Sequence, residues 1–544
     1  AGELIEHHDG GLISRSLLDK AGRLLQRQIF SESSPENIQQ EHFQYGDDGL
    51  LQKAWHCTEL GHNTIAVEFV RDPVGRIVEE VQRVTGLNGD EVWSYTVERT
   101  FNELGIESQT LYEGLPPIEW QTYGSGHLHG VVLDGKSIID FERDKLHREI
   151  NRKFGPAQTE RSYDALSRLS HQYTHSPLIG EEDALKRQYH YDAAGQLTRI
   201  DTAQGTHQYG YDKAGRLISA LQPGLALQHY RFDPAGNRLF ENQATTTAND
   251  NWEETVRQHM QDKSFNLLGN NEAKDIHETE LKWMDNRIKD DGEYHYEYDV
   301  WGNLKRKYKA EGNEEHRYHY DSNHRLIRYT LESDTEVRGA NYHYDPFGRR
   351  VAKQVQEADK DGHLAGAPTT TFFGWDGDRL VLTEKGGLQI HTVYEPGSFT
   401  PMIRIEGDRA EPKRLVQKLQ EQQGIRLDKE AETKLDGLEK ELRQGNLSNT
   451  SQQWMRQAQL QPETLKAMLD DESSMSGKQI RLYLCDHLGT PKTLVSEQGR
   501  INWWIDRDPW GVVIKQQRLE KSDQAIGFQG QQLDVESGLH YNRN

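Results

Sequence analysis

The 544-residue sequence contains only two cysteines, Cys57 and Cys485, and neither has a neighbouring thiol along the chain. This excludes a framework of several disulfides and a CxxC zinc site, and it indicates a reducing compartment. No stretch approaches the roughly 20 consecutive apolar residues of a membrane-spanning helix. The N-terminus lacks the basic segment and apolar core of a secretory signal. We therefore expect a chain that begins in the cytoplasm and has no membrane span.

Apolar residues are also scarce, at 34% of the chain, but 23 tyrosines and 11 tryptophans supply large amphipathic side chains. Such residues suit half-buried strands of an extended sheet with two wetted faces. The formal net charge of -22 repels phosphate backbones at long range and weighs against nucleic-acid binding. A charged partner is expected to be basic.

One short motif recurs: an aromatic residue, Asp, two variable residues, Gly or a substitute, then Arg, Asn or Gln, and usually Leu. Successive copies in the central run begin about 20 to 28 residues apart, which is room for two strands and two turns. Looser copies include Asp19, Asp72, Tyr163, Tyr320 and Asp508. The motif residues of the five clear copies are Tyr191, Asp192 and Gly195; Tyr211, Asp212, Gly215 and Arg216; Phe232, Asp233 and Gly236; Tyr298, Asp299 and Gly302; and Tyr344, Asp345, Gly348 and Arg349.

The chemistry of the motif predicts a hairpin turn with a structural role. Asp can accept hydrogen bonds from backbone NH groups two residues on, and Gly adopts the left-handed conformation that closes the turn. Tyrosines alternate with polar residues before each turn, as at Tyr294, Tyr296 and Tyr298, which is the period of a strand with one aromatic face. Hairpins laid edge to edge extend one sheet, and a long sheet twists and must curl. The sequence therefore predicts an all-β fold.

The composition changes between Glu411 and Glu472, where tyrosine alternation gives way to Gln, Lys, Glu and Leu. Leu435, Leu438 and Leu442 at spacings of three and four predict an amphipathic helix. We predict a β-repeat domain over residues 1–410 with a long loop at about 241–275, a helical insertion over 411–476, and a C-terminal β-segment over 477–544. The insertion is interpreted as a decoration packed on the outside of the sheet, or alternatively as a plug or docking element.

Candidate chemistry is weak by comparison. GxSxG, HExxH and GxxxxGK[ST] motifs are absent, and the repeat aspartates are already explained by their turns. His127 and His129 have the spacing that places two rings on one face of a strand, but no third metal ligand is fixed by spacing. We predict no catalytic residue, no cofactor and no metal site, and no enzymatic activity.

Three further segments carry a family resemblance that covers most of the chain: WQTYGSGHLHGV at residues 120–131, DHLGTPKTL at 486–494 and FQGQQLDVESGLHYNRN at 528–544. With the repeats they resemble the core of bacterial Rhs (YD-repeat) proteins, which is related to toxin-complex C subunits and teneurins. The resemblance implies a spiral of β-hairpins forming a hollow shell or part of one. It assigns a C-terminal core motif to Asp486, His487, Gly489, Pro491, Gly538 and Tyr541.

The resemblance also implies a function: a structural shell that encapsulates a C-terminal toxin for delivery, commonly by type VI secretion, in competition between bacteria. The family's self-cleavage junction, its toxin and its PAAR-type N-terminal tip are not found in the 544 residues. Expected partners are the enclosed toxin, remaining shell or PAAR-type segments, a secretion spike protein and a chaperone. Exposed Tyr and Trp can also stack on sugars, so the alternative is a carbohydrate-binding or cell-surface-ligand-binding YD-repeat protein.

Overall fold

The structure is a computed structural model. It describes residues 3–9, 11–32, 34–57, 64–86, 88–178, 185–225, 227–244, 279–280, 282–284, 286–357, 364, 366–409, 415–416, 434–435, 437–439, 441–442, 447–457, 461–462, 465, 475, 477–518 and 524–542. Within these ranges nearly all regular structure is antiparallel β-sheet. The expected all-β fold class is confirmed.

The strands follow one another with short turns. In chain order they are β1 (Glu3–Asp9), β2 (Leu12–Leu18), β3 (Leu24–Ser31), β4 (Ser34–Tyr45), β5 (Leu51–Cys57), β6 (Thr64–Arg71), β7 (Ile77–Thr85), β8 (Glu91–Phe101), β9 (Glu107–Tyr112), β10 (Ile118–Tyr123), β11 (His127–Leu133), β12 (Lys136–Arg143), β13 (Glu149–Phe154), β14 (Ala157–Tyr163), β15 (Leu169–His175), β16 (Leu185–Tyr191), β17 (Leu197–Thr202), β18 (Gly205–Tyr211), β19 (Leu217–Leu221) and β20 (Leu227–Phe232). The series continues with β21 (Arg238–Ala244), β22 (Thr279–Glu280), β23 (Lys282–Met284), β24 (Arg287–Asp290), β25 (Tyr294–Tyr298), β26 (Leu304–Lys309), β27 (Glu315–Tyr320), β28 (Leu326–Glu332), β29 (Val337–Tyr344), β30 (Arg350–Glu357), β31 (Thr369–Asp376), β32 (Arg379–Lys385), β33 (Leu388–Tyr394), β34 (Pro401–Asp408), β35 (Gln479–Cys485), β36 (Pro491–Ser496), β37 (Ile501–Arg507), β38 (Val513–Arg518), β39 (Gln531–Asp534) and β40 (Leu539–Asn542). A helix, α1 (Asn449–Gln457), lies between β34 and β35.

Within each sheet, every strand pairs antiparallel with its neighbour in the chain, so each sheet is a meander. A first sheet of 22 strands comprises β1 to β22, and a second sheet of 16 strands comprises β23 to β38. The last two strands form a separate hairpin, β39–β40. Residues 408 and 479 flank the segment that contains α1, and β34 pairs directly with β35 across it.

The two sheets lie side by side and share a core. Buried residues of both form one apolar cluster, in which Val97 and Ile139 of the first sheet join Val381 and Ile403 of the second. Side-chain contacts between the sheets keep the same order along both. They join Glu41 to Asn323, Gln82 to Trp375, Gln172 to Cys485 and Gln222 to Arg507. The second sheet is therefore laid along the first in the same sense, as in a spiral, and we call this contact the seam.

The segment between β34 and β35 has its own small core. It contains the predicted helix residues Leu435, Leu438 and Leu442, and the other buried members are Leu415, Val416, Met455 and Leu465. Most of the loop predicted at 241–275 lies outside the described residues, and its first residues belong to β21. The boundaries of the three segments remain predictions.

Candidate functional site

We call the two sheets, β1 to β38, the wall. The repeat turn is its structural unit, and the copy at Asp212 illustrates it. The carboxylate Oδ1 of Asp212 accepts the backbone NH groups of Ala214 and Arg216, each at 2.9 Å. Its Oδ2 accepts the guanidinium Nε of Arg216 at 2.8 Å. Partial burial raises the pKa of the carboxyl, but these hydrogen bonds from Arg216 outweigh it and lower the pKa overall. Gly215 closes the turn at φ +82°, where a side chain would be strained.

The other clear copies repeat this geometry. In each, the backbone NH of the motif Asp donates to the carbonyl four residues on, and the motif Gly donates to the Asp carbonyl. A β-bulge lies at the aromatic residue that precedes each Asp, where it shifts the register by one residue. The residues placed this way are Tyr191, Asp192 and Gly195; Tyr211, Asp212 and Gly215; Phe232, Asp233 and Gly236; Tyr298, Asp299 and Gly302; and Tyr344, Asp345 and Gly348.

The turn at Asp212 is also linked to the neighbouring copies of the repeat. The guanidinium of Arg216 lies over the ring of Phe232, with its carbon 5.3 Å from the ring centroid. In the other direction, the Tyr211 hydroxyl donates to the backbone carbonyl of Leu197 at 2.8 Å. The motif Arg and the motif Tyr thus connect neighbouring hairpins, a role that spacing alone did not reveal.

The copy at Asp345 adds a contact across the seam. Arg349 is buried, and it donates from Nε to Asp345 at 2.7 Å and from a terminal nitrogen to Glu80 at 2.6 Å. Burial opposes its charge, but the Asp345 and Glu80 carboxylates raise the pKa of Arg349 above its ordinary value. This motif arginine therefore stays charged and joins the second sheet to β7 of the first.

The C-terminal core motif is brought onto this same repeat copy. The hydroxyl of Tyr541 accepts the backbone NH of Arg350 at 3.0 Å and donates to the Gly348 carbonyl at 3.3 Å. Its ring lies 6.3 Å from that of Tyr344. Gly538, at φ +70°, closes the hairpin that carries Tyr541. The hairpin β39–β40 is thereby docked on β29 and β30.

Four charged side chains hold the same hairpin in place. Arg350 pairs with Asp534, and Lys353 pairs with Asp534 and Glu536, each at 3.0 Å. The hydroxyl of Tyr342 donates to Glu536 at 3.0 Å. Arg350, Asp534 and Glu536 are all buried, so removing one partner would leave an uncompensated charge in the interface.

The motif residues at 486–491 form another turn of the repeat type at the seam. Asp486 accepts the backbone NH groups of Leu488 and Thr490, and Gly489 donates to the Asp486 carbonyl. The His487 ring lies 5.1 Å from the ring of Tyr189 in the first sheet. A side chain at position 489 would clash with Gln529 and Thr400. Pro491 begins β36 opposite Cys485.

Three buried glutamines form hydrogen bonds across the seam, and the sequence analysis did not single them out. Gln82 donates to the Trp375 carbonyl at 2.7 Å and accepts the Trp375 backbone NH at 3.1 Å. Gln172 donates to the carbonyl of Cys485 at 3.1 Å, and Gln222 donates to that of Arg507 at 3.0 Å. Their signal in the sequence is faint, because a polar residue in a strand normally indicates a solvent-facing position.

Of the two histidines considered as metal ligands, His127 is half-buried and His129 is exposed. The ring of His127 stacks on that of His147, with centroids 3.9 Å apart. The Tyr123 hydroxyl is hydrogen-bonded to Nδ1 of His147 at 3.1 Å. Across the described residues, no group of three His, Cys, Asp or Glu side chains is placed to hold a metal ion. In that same part of the chain, no helix is long and apolar enough to cross a membrane.

A cavity of about 600 Å³ lies where β2 and β3 face the turns after β25 and β27. Trp301, whose exposure is 41%, and His324 flank it with ring centroids 5.8 Å apart. His324 occupies the slot that Gly takes in other copies, at φ +60°. The cavity is also lined by Leu12, Ser31, Asn303, Lys305, Arg317, Tyr318 and Tyr320.

Known protein families match the repeat and the C-terminal segment. A family model described as RHS Repeat matches residues 191–225, and one described as RHS protein matches residues 480–517. The chain is 31% identical to the toxin protein Tse5 of Pseudomonas aeruginosa, over 96% of this chain and 36% of that protein. It is 28% identical to the double-stranded DNA deaminase toxin A of Burkholderia cenocepacia, over 89% of this chain and 28% of that protein. The chain thus spans about a third of these relatives.

Among solved structures, the crystal structure of TcdB2-TccC3-Cdc42 is similar with a TM-score of 0.53. The likeness covers 99% of this chain and 26% of that chain, at 13% sequence identity. At this identity the similarity concerns the fold. It confirms the expected spiral of β-hairpins, forming a shell or part of one.

Proposed function

Because the chain belongs to the Rhs (YD-repeat) family, we propose that its β-wall encloses a toxin and keeps it sequestered until delivery into a competing bacterium. In this proposal the wall is a container without catalytic chemistry of its own. The toxin would be carried by the same polypeptide or one associated with it, and type VI secretion would export it.

The observation that carries this proposal is the winding of the second sheet along the first. A meander of 22 strands followed by one of 16, with contacts at the seam in the same order along both, is the arrangement expected of a wall that winds around an interior. A wall of this kind suits enclosure of a large cargo, whereas a small-molecule enzyme needs one cleft with convergent polar groups.

The relatives support a toxin as the cargo. Tse5 and the deaminase toxin A are both named as toxins, and the present chain matches only part of each. We propose by analogy that a toxin, a PAAR-type segment, a secretion spike protein and a chaperone are the partners of this wall. Before export the protein would reside in the bacterial cytoplasm.

The charge of the chain favours a basic cargo. At a formal net charge of -22, a wall that retains even part of this excess on its inner face attracts cationic segments without a specific pocket. Such diffuse attraction is weakened by salt, because mobile ions screen exposed charges over about 10 Å at 0.1 M.

Protease protection tests the proposal. The chain is co-produced with the toxin segment encoded alongside it, and the purified complex is challenged with protease. We expect the enclosed toxin to be digested at least about tenfold more slowly than the free toxin, because cleavage then requires opening of the wall. A toxin added after the wall has folded is the control and should stay sensitive. Equal digestion rates with and without the wall would contradict enclosure.

The cavity beside Trp301 favours carbohydrate binding as a second candidate function. A half-exposed indole with nearby hydroxyl, amide and cationic groups is suited to stacking on a sugar ring. A glycan array with the wild-type chain and Trp301→Ala tests this. Val300→Ala, at a neighbouring residue that is 84% exposed, is the control. Binding that persists in Trp301→Ala, or no binding at all, would exclude this cavity.

A further inference from the structure

Four large aliphatic side chains lie on the turns at one end of the first sheet and are largely exposed. Each occupies the third position of the repeat turn, in the turns that follow β6, β8, β12 and β14. In a meander the turns after even-numbered strands all lie at the same end, about 10 Å from one to the next. Between 66% and 75% of each residue is exposed, and we call the four the rim: Val74, Leu104, Leu146 and Leu166.

The turn itself does not require a large residue at this position. Ala214 occupies it in the copy at Asp212, and its backbone NH donates to the Asp212 carboxylate. The backbone NH groups of the four rim residues donate to their own turns in the same way. The exposed side chains are therefore not explained by the turn. Because they follow one another on nearby turns and are not scattered singly, they are typical of a surface that binds another protein segment.

In the second sheet, the same turn position meets the first sheet. Phe347 packs on Phe69 of β6, with ring centroids 5.9 Å apart. Trp510 contacts the ring of Tyr230 of β20 edge-on, with centroids 5.3 Å apart. The later sheet thus uses its turns, and the earlier sheet uses the side chains of its strands.

Two further apolar residues at this position of the second sheet, Trp301 and Leu488, stay partly exposed, yet their turns also face the first sheet. The cavity that Trp301 lines is bordered on its other side by Leu12 of β2. The ring of His487, next to Leu488, lies 5.1 Å from that of Tyr189 in β16. The turns of the second sheet therefore face the first sheet along the seam.

The motif arginine shows the same difference between the two sheets. Arg349 of the second sheet pairs with Asp345 of its own turn and also with Glu80 across the seam, and it is buried. Three arginines of the first sheet pair with the Asp of their own turns and remain partly exposed: Arg76, Arg148 and Arg168. A surface that covers the rim and carries carboxylates would pair with them as Glu80 pairs with Arg349.

We propose that the rim docks on a further sheet of the same repeat type, which precedes β1 in the polypeptide. The first sheet would then pack on that sheet as the second sheet packs on the first. The covering surface presents aromatic side chains to the rim and carboxylates to its arginines, as Phe69 and Glu80 do at the seam. The chain matches 36% of Tse5 and 28% of the deaminase toxin A, which leaves these relatives ample length for such a sheet. The inference concerns how the wall is built and does not depend on a cargo.

Thiol labelling tests this docking. Leu104→Cys is made together with Cys57→Ser, which removes the exposed native thiol, both in the 544-residue chain and in the polypeptide of the complete reading frame. We expect a water-soluble maleimide to react at least about tenfold more slowly in the longer polypeptide, because labelling then requires local opening of the docked rim. Leu166→Cys, at the far end of the rim, should show the same protection. Val300→Cys, at an exposed turn position of the second sheet, is the control and should react equally in both.

Three results would overturn the proposal. The first is an equal labelling rate of Leu104→Cys in the two polypeptides, and the second is a reading frame that encodes no repeat sheet before Ala1. The third is slow labelling of the 544-residue chain itself at a rate that depends on protein concentration, which would show that a second copy covers the rim instead. Since no toxin takes part in this measurement, a failure of docking is distinguishable from a failure of enclosure.

Discussion

The side-chain amide of Gln82 hydrogen-bonds to both the backbone carbonyl and the backbone NH of Trp375, which is 293 residues away in the chain. In this way a side chain of the first sheet satisfies the backbone of the second as a neighbouring strand would. Trp375 is buried, so its backbone groups have no access to solvent as replacement partners. The pair shows how the seam is closed without a strand that crosses it.

Gln82→Leu should destabilise the protein by roughly 1 to 3 kcal/mol, because it leaves the buried NH and carbonyl of Trp375 without partners. The free energy of unfolding from chemical denaturation measures the effect. Gln52→Leu, at an exposed position of β5, is the matched control and should change stability little. If both variants were equally stable, the Gln82 contact would not hold the seam.

Gly215→Val should cost on the order of 1 to 3 kcal/mol, because a β-branched residue resists the left-handed conformation at φ +82°. Asp212→Ala should cost about 1 kcal/mol through the loss of hydrogen bonds to Ala214 and Arg216. Lys213→Ala, at a variable position of the same turn, is the control. Unchanged thermal stability of Gly215→Val would contradict a structural role for the turn.

The strands and turns of this architecture can be predicted from the sequence, whereas the contacts between the two sheets cannot. Alternating residues such as Tyr294 and Tyr296 and the spacing of Asp212 and Gly215 report strand and turn, since both depend on neighbours a few residues away. The partner of Gln82 depends on how far the sheet winds before it returns, which no short pattern encodes. The relation of the sheets therefore required the structure.

The same limit applies to the C-terminal motif. Family resemblance drew attention to Tyr541 but supplied no contact for it. The acceptor of its hydroxyl proton, the Gly348 carbonyl, lies 193 residues earlier in the chain. Arg350 and Asp534 were missed altogether, because charged residues in a strongly charged sequence are normally solvated and only the fold shows that these two are buried.

His391 is expected to make stability depend on pH. Burial lowers its pKa to about 3, despite the hydrogen bond that its Nε2 donates to the Glu113 carbonyl. An unfolded histidine titrates near 6.5, so between pH of about 6.5 and 3 the unfolded state binds more protons than the folded state. This histidine therefore reduces stability as pH falls through that window, by on the order of 1 kcal/mol per pH unit.

His391→Gln removes the titrating group and can still donate to Glu113. We expect its free energy of unfolding to fall less steeply than that of the wild type between pH 7 and pH 5, because about one proton fewer is taken up on unfolding. His171→Gln, which removes an exposed imidazole, should leave the slope unchanged. Identical slopes for His391→Gln and the wild type would show that this buried histidine is not the source.

Asp534→Asn should release the C-terminal hairpin from the second sheet. The change leaves the buried guanidinium of Arg350 without its counter-ion, which typically costs about 3 to 5 kcal/mol. Because that cost falls on the docking of β39–β40, hydrogen exchange of the backbone amides in residues 531–542 should accelerate while β29 and β30 stay protected. Val535→Ala is the control on the same hairpin, since Val535 is 75% exposed.

The double variant Arg350→Met with Asp534→Leu separates charge from shape in the same interface. Replacing both members of a buried ion pair by apolar residues is often close to neutral, so protection of residues 531–542 should recover substantially relative to Asp534→Asn alone. If Asp534→Asn left exchange unchanged, Lys353 and Glu536 would suffice to hold the hairpin. If the double variant exchanged as fast as the single one, the hairpin would require the Arg350–Asp534 hydrogen bonds themselves and not merely the absence of an unpaired charge.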